Sequence, residues 1–146
     1  MARKPTLISP RIQEKLEASR VARMATLDAG RGPHLVPICF TYDGSFFYSA
    51  IDRKPKGVAP NRLARLRNIK KTPRVALLVD QYDEDWTTLW YVLVRGDAMV
   101  VSDPAERRRA LRRLKTKYPQ YRSGMLPEDA LVLRIIPLRV TAWGKI

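Results

Sequence analysis

Residues 21–51 read VARMATLDAGRGPHLVPICFTYDGSFFYSAI, and the pattern of this stretch decides the fold class. Side chains at its start alternate with a period of two, which is typical of a β-strand. Two short segments with glycine and aspartate, 28–32 and 43–44, are typical of hairpin turns. The sequence therefore predicts three strands, over 21–27, 33–42 and 45–51. Strands joined by turns this short pair antiparallel.

The second of these strands contains a proline at position 37. Proline has no N–H to donate to a strand ladder, so the strand is expected at an edge of the sheet. The free backbone groups around Val36, Pro37 and Ile38 could then bond the edge of a flat heteroaromatic ligand. An ordinary edge strand with no ligand is the other interpretation of the same residues.

Outward from this stretch, the sequence predicts three helices and further strands. Ser9, Asn61 and Asp103 are candidate helix N-caps, and the apolar residues that follow each of them recur at helical spacing. The helices are predicted over 9–19, 62–71 and 104–117. The further strands are predicted over 75–79, buried on both faces, over 86–101, with a possible break at 96–97, and over 131–143, interrupted at 137. Six or seven antiparallel strands with peripheral helices predict a closed or nearly closed β-barrel. Residues 1–146 form a single predicted domain, because no linker, repeat or low-complexity segment divides them.

Composition excludes several function classes. Cys39 and His34 are the only cysteine and histidine, which excludes internal disulfides, thiolate zinc clusters and multi-histidine metal sites. No apolar run is long enough for a membrane span or a signal peptide, so a cytoplasmic protein is expected. The 28 Lys and Arg against 14 Asp and Glu give a net charge of +14. A charge of this size favours an anionic partner.

The clearest chemical signal is the segment YSAIDRKPK over 48–56. A strand ends there and presents a hydroxyl followed by three cations, and the next helix adds two more. Cationic side chains and a nearby serine hydroxyl are what phosphate recognition requires. The residues concerned are Ser49, Arg53, Lys54, Lys56, Arg62 and Arg65. A solvated basic loop is the alternative interpretation.

Two further features each have a functional and a structural interpretation. Trp86 and Trp90 are four residues apart, which predicts that they share one face of a strand. They could wall a ring-binding pocket, or belong to the core or to a dimer interface. The basic helix over 104–117 could contact nucleic acid or be a solvated face. The basic run 53–74 contains no aromatic residue, which does not favour binding of single strands by base stacking.

Taken together, these residues resemble the pyridoxamine-5′-phosphate-oxidase-like split β-barrel flavoproteins. The segments that carry the resemblance, which covers about residues 9–102, are RVARMATLD (20–28), PHLVPICF (33–40), FYSAIDRKPK (47–56) and RLRNIKKTPRVALLVD (65–80). Within that family, the chain most resembles the small coenzyme F420-dependent oxidoreductases. The resemblance implies a six-stranded antiparallel split β-barrel and a homodimer with the cofactor bound at its interface.

The resemblance also implies roles for individual residues. Val36, Pro37 and Ile38 match positions whose backbone faces the cofactor ring, and Tyr48 and Ser49 match positions beside the ring or its phosphate. Trp86 matches an aromatic residue at the pocket wall, from the same chain or the partner. The basic positions match the phosphate site: Arg53, Lys54 and Lys56, followed by Arg62 and Arg65. Between Lys56 and the helix that carries Arg62 and Arg65, this sequence has extra residues compared with the family pattern.

The function implied is hydride transfer between a reduced deazaflavin, coenzyme F420, and a small electron-poor acceptor. F420 carries a phosphodiester and a poly-glutamate tail, so it suits a chain of charge +14 better than FMN, which carries one phosphate. An FMN-dependent oxidase or reductase of the same fold is the first alternative, and a basic nucleic-acid-binding barrel is the less favoured second. The proton source stays open between solvent, Tyr48 and His34.

Overall fold

The computed structural model describes residues 3–52 and 63–146, which form seven strands and three α-helices. The helices are α1 (Pro10–Ala18), α2 (Ala64–Lys71) and α3 (Pro104–Lys117). The strands are β1 (Ala22–Asp28), β2 (Gly32–Ile38), β3 (Thr41–Tyr42), β4 (Phe47–Ala50), β5 (Arg74–Gln81), β6 (Trp90–Val100) and β7 (Val132–Gly144). Short 3-10 helices cover Trp86–Thr88 and Pro119–Ser123. None of the helices in this described part is both long and apolar enough to cross a bilayer.

All seven strands belong to one antiparallel sheet in the order β2-β1-β5-β6-β7-β4-β3. This architecture, mainly β with helices at its periphery, confirms the predicted fold class. The sheet has seven strands rather than six because the strand predicted over 33–42 is interrupted after Ile38. Its last two residues form the separate strand β3, which pairs with β4. Among the described residues the two end strands, β2 and β3, do not pair with each other, so the hydrogen-bonded ladder is open. The edge position of β2 is the one that Pro37 predicts.

The first hairpin explains how the sequence fixes the edge strand. Asp28 Oδ1 accepts hydrogen bonds from the backbone N–H groups of Gly30 and Arg31, at 3.0 and 3.2 Å. Gly32 then adopts φ 85°, a left-handed conformation that costs glycine little. Together they close the turn with Asp28 opposite Gly32, and the register that follows places Ile38 opposite Ala22.

The long strands β6 and β7 run through the two positions where the sequence predicts interruptions. The register shifts by one residue between Arg95 and Gly96, and Pro137 lies opposite Gly96. A Cβ atom on Gly96 would lie 1.9 Å from the carbonyl oxygen of Ile136. The predicted break and the predicted interruption are therefore one β-bulge, which absorbs the proline without ending either strand.

Two hydrophobic clusters form the core. The larger cluster packs on the inner face of the sheet and includes Phe40, Phe47 and Leu77. The smaller cluster lies between β4, β7 and α3. In β5 the side chains alternate between buried and half-exposed, so the prediction that this strand is buried on both faces is wrong. The reason is that no layer of the described chain packs over the outer side of β5.

The two tryptophans do not share a strand face, and that prediction is also wrong. Trp86 begins the 3-10 helix that follows β5, whereas Trp90 begins β6 and is buried in the larger cluster. The carboxylate of Asp85 caps the 3-10 helix by accepting from the Thr87 N–H at 3.0 Å. Because the capped 3-10 helix interrupts the strand between Trp86 and Trp90, their spacing of four residues does not place the two indoles on one strand face.

Candidate functional site

A cavity of about 360 Å³ opens where the end of β2 meets β4 and α2. Four of the residues predicted from the sequence line it: Pro37, Ile38, Ser49 and Arg65. The remaining walls come from the α1–β1 junction and from the chain around the two strands, namely Arg20, Val21, Cys39, Ala50 and Asp52. Its size lies at the lower end of the range for small-molecule sites.

The β2 wall of the cavity offers main-chain groups. In the described sheet β2 pairs with β1 alone, so the backbone polar groups along its other side are not used by the ladder. Pro37 contributes a carbonyl oxygen and no donor, since its nitrogen carries no hydrogen. This edge can therefore offer hydrogen bonds to the rim of a planar ring.

Ser49 links the β4 wall of the cavity to Cys39, the residue that follows β2. Its hydroxyl donates a 2.7 Å hydrogen bond to the carbonyl oxygen of Cys39, and the side chain is buried. Because the hydroxyl proton is engaged in this way, the oxygen faces a ligand as an acceptor. Ser49 thus has a structural bond and retains lone pairs for a ligand donor.

The charged groups of the cavity oppose each other. Burial lowers the pKa of the Arg65 guanidinium, and the nearby Asp52 carboxylate partly offsets that lowering. Asp52 is itself buried and accepts a 2.7 Å hydrogen bond from the Tyr121 hydroxyl. On the opposite side, Arg20 donates to the carbonyl oxygen of Lys117 at 2.7 Å. The described wall therefore carries two guanidinium groups against one carboxylate, a net positive lining that suits a singly charged phosphate group.

The remaining predicted phosphate ligands cannot be placed at this cavity. Arg53, Lys54, Lys56 and Arg62 lie outside the described residues, and their role stays a prediction. Asp52, the last described residue before that gap, and Arg65, shortly after it, both line the cavity.

Tyr48 lies away from the cavity. Successive side chains of a strand point to opposite faces, so Tyr48 faces α3 while Ser49 faces the cavity. Its ring packs in the smaller hydrophobic cluster, and its hydroxyl donates to Glu106 Oε2 at 2.7 Å. Burial and this carboxylate raise the pKa of Tyr48 well above its ordinary value. A tyrosine held in this way is a poor proton source for chemistry in the cavity.

Three further predicted or considered residues also lie outside the cavity of their own chain. Val36 is half-buried against the larger cluster, one residue before the cavity wall. Trp86 is 71% exposed, and its indole N–H points to the Tyr82 hydroxyl at 3.4 Å. His34 lies on β2 four residues before Ile38, about 13 Å along the strand. A contribution of Trp86 from a second chain stays a prediction.

Three polar residues of the cavity were missed by the sequence reasoning. Asp52 belongs to the segment that gave the clearest signal, but an acid beside an expected phosphate site is not an obvious ligand. Arg20 begins the segment RVARMATLD, but nothing in that segment indicates a binding role for it, because its role depends on the packing of α1 against β1. Cys39 continues the β2 segment, so the same edge-strand argument, extended by one residue, would have included it.

Comparisons with known proteins agree on the fold. Protein Rv2991 from Mycobacterium tuberculosis, described as a conserved hypothetical protein, has a TM-score of 0.75 at 20% identity, covering 99% of this chain and 89% of that one. HutZ, a heme storage protein from Vibrio cholerae, has a TM-score of 0.71 at 15% identity, covering 96% of each chain. A structure described as an F420 reductase has a TM-score of 0.63 at 22% identity, covering 88% of this chain and 94% of that one. No curated protein matches the chain.

Two of these neighbours have different described roles and the third has none, so at such identities the likeness establishes the fold and leaves the ligand open. The sequence evidence is more specific than the structural likeness. The profile of the pyridoxamine 5′-phosphate oxidase family matches residues 8–144, which include every described element of the sheet and all three helices. The chain belongs to the pyridoxamine 5′-phosphate oxidase family.

Proposed function

We propose that the protein is a coenzyme F420-dependent oxidoreductase that transfers a hydride between the reduced deazaflavin and a small electron-poor acceptor. The observation that carries this proposal is the cavity itself. It joins a main-chain edge around Pro37 and Ile38 to two guanidinium groups, from Arg20 and Arg65. A planar ring and an attached phosphate are recognised by these two kinds of wall.

The described residues would bind and orient the cofactor. Backbone groups at the end of β2 would hold the rim of the ring, and Ser49 would accept one further hydrogen bond. Arg65 and Arg20 would attract the phosphate, together with the predicted cations of the segment 53–62. When bound, the deazaflavin supplies the hydride from its C5 carbon, so the chain's task is orientation and exclusion of water. Since Tyr48 is bonded to Glu106 and His34 lies away from the cavity, solvent becomes the favoured proton source.

We expect a second copy of the chain to complete the site. The outer face of the sheet exposes the large apolar side chains of Leu27, Leu35, Tyr91 and Trp143. The strand register places all four on one face, and Pro37 of the cavity wall lies on that face two residues after Leu35. A face of this kind, continuous with the cavity, fits a homodimer with the cofactor at its interface. Sedimentation of the wild type and of Leu35→Arg tests this, since the variant should shift toward monomer.

Coenzyme F420 is favoured over FMN by charge. The net charge of +14 attracts the more anionic cofactor over a longer distance, and this attraction weakens with salt. FMN is the alternative cofactor, because the same two guanidinium groups serve any phosphate. Heme is the ligand named for one structural neighbour, and it provides a third test ligand.

The deciding experiment is a parallel titration of the protein with F420, FMN and hemin, at low and moderate salt. We expect the tightest binding for F420, and binding about tenfold weaker for Arg65→Gln because one charge-assisted contact is lost. Lys70→Gln removes an equal charge from an exposed position of the same helix and is the matched control. Tight FMN binding without F420 binding would replace the proposal with its alternative. Reoxidation of bound reduced F420 by enones, quinones or nitro compounds then tests turnover.

A further inference from the structure

A second cleft, of about 720 Å³, lies between α1 and α3 and carries a dense positive lining. Its cationic side chains are Arg20, Arg109, Arg112, Arg113 and Lys117. Glu17 is its one carboxylate, and Glu17 Oε1 already accepts a 2.9 Å hydrogen bond from the Tyr42 N–H. We call this recess the α1–α3 cleft. Five cations against one engaged carboxylate make it more positive than the cavity described above.

Two of these cations hold the cleft together, and two others point to a ligand. Arg113 donates to the carbonyl oxygen of Tyr42 at 2.9 Å, and Arg20 donates to the carbonyl oxygen of Lys117 at 2.7 Å. Arg109 and Arg112 are exposed, and within residues 3–52 and 63–146 their guanidinium groups form no hydrogen bond or ion pair. Their guanidinium groups are therefore available for an external anion.

The ammonium group of Lys117 is a partly buried cation of the cleft. It donates to the carbonyl oxygen of Leu16 at 3.2 Å and lies 3.9 Å from the ring centroid of Phe40. Burial, together with the neighbouring Arg20 and Arg113, lowers the pKa of Lys117 to about 8, and Glu17 opposes this lowering. An anion in the cleft would offset this repulsion between cations.

The arrangement of the cleft residues on α3 indicates the shape of the ligand. Positions 109, 112, 113, 116 and 117 recur at intervals of three and four, so they form one face of the helix. The first and last of these positions are eight residues apart along the helix, which corresponds to a row about 12 Å long. A single phosphate or carboxylate would contact only part of such a row. An extended chain with several negative groups would contact all of it.

We infer that the α1–α3 cleft binds a flexible chain of carboxylates or phosphates. Arg20 lines both this cleft and the candidate cofactor cavity, so an anionic chain attached to a ligand in the cavity can continue into the cleft. One source of such a chain is the poly-glutamate tail of the deazaflavin, and this source rests on the proposed function. The other source is a free polyanion such as a short polyphosphate.

The test measures binding of two free probes, tetra-γ-glutamate and inorganic tripolyphosphate, by calorimetry at low and moderate salt. The same proteins are titrated with F420 and with a deazaflavin riboside that has neither phosphate nor tail. The cleft variant is Arg109→Gln with Arg112→Gln. The matched control is Arg108→Gln with Lys115→Gln, which removes the same charge from the same helix outside the cleft.

We expect the cleft variant to bind at least one free probe about tenfold more weakly than the wild type and the control to change less than about twofold. If the tail is the ligand, the cleft variant also weakens F420 binding and leaves the binding of the tail-free riboside unchanged. If tripolyphosphate alone responds, the cleft is a site for a free polyanion.

Equal losses in the cleft variant and the control would overturn the inference, since net charge alone would then explain binding. Absence of binding of both probes to the wild type, with F420 bound equally by all three proteins, would overturn it as well. In that case the proposed function would stand. Conversely, probes that respond as expected, beside a protein that binds neither F420 nor the riboside, would uphold the cleft and reject the deazaflavin. Circular dichroism of both variants confirms that α3 is intact in each comparison.

Discussion

The two recesses that share Arg20 are built in different ways. The cavity is formed mainly by strands, and its charges are partly balanced, because Asp52 faces Arg65. The α1–α3 cleft depends mainly on one helix face, and its charges are largely unbalanced. Strands supply fixed main-chain groups that recognise shape, whereas a helix face of long cationic side chains recognises charge and tolerates variation in shape. From this difference we expect the proposed cavity site to determine specificity and the proposed cleft site to contribute affinity that weakens with salt.

The β-bulge between β6 and β7 gives the largest expected effect. Gly96→Ala places a Cβ atom against the Ile136 carbonyl oxygen, which is backbone and cannot rotate away. We expect the free energy of unfolding to fall by about 3 kcal/mol, as for an overpacked core position. Urea denaturation measures this change. Gly30→Ala is the matched control, because its nearest neighbour is an aspartate side-chain oxygen at 3.7 Å, and the variant should lose far less.

Titration of Lys117 in the α1–α3 cleft gives the next largest expected effect on stability. Lys117 has a folded-state pKa of about 8 against an ordinary value of 10.5, so between these values the unfolded state binds more protons. Stability therefore rises as the pH increases from about 8 toward 10, by at most about 3 kcal/mol. Thermal unfolding across this pH range measures the rise, and Lys117→Met should abolish most of it.

A fall in stability is expected at still higher pH. Burial raises the pKa of Tyr118 to about 12, and burial with nearby carboxylates also raises the pKa of Tyr48 and Tyr121. Above pH 10 the unfolded tyrosines lose protons before the folded ones do, which favours unfolding.

The Lys117 prediction has a clear contrary outcome. If the stability of the wild type were constant between pH 8 and 10, as expected for Lys117→Met, this would contradict the burial of the Lys117 ammonium.

The position of an edge strand could be predicted from the sequence more fully than the contacts of charged side chains. The edge position of β2 could be predicted because Pro37 removes a ladder donor. Ser49 and Arg65 could be predicted because Ser49 precedes the basic run 53–74 and Arg65 is one of its cations. Asp52 and Arg20 could not, because each acquires its role from packing between elements far apart in sequence. The cleft could not be predicted either: the cations of α3 cover most of its surface, and only the packing of α1 selects the face that becomes a recess.

The hydroxyl of Tyr121 connects cavity charge to stability. It donates to Asp52 at 2.7 Å in a buried environment, so Tyr121→Phe removes a donor from a buried carboxylate. We expect a loss of about 1–2 kcal/mol in the free energy of unfolding. Chemical denaturation at neutral pH measures the loss, and an unchanged free energy of unfolding would contradict this role.

The smallest expected effect separates the two faces of β4. Tyr48→Phe removes one hydrogen bond to Glu106, which retains its bonds from Arg134 at 2.9 and 3.1 Å. We therefore expect a loss of no more than about 1 kcal/mol in stability. Cofactor binding should change by less than about twofold, because the Tyr48 side chain faces α3 and the cavity lies on the side of Ser49. Ser49→Ala, by contrast, removes the bond to Cys39 at the cavity wall and should weaken binding more than it affects α3. If Tyr48→Phe weakens cofactor binding as strongly as Ser49→Ala, then the resemblance to the family locates the ring correctly and the cavity described here is only part of the site.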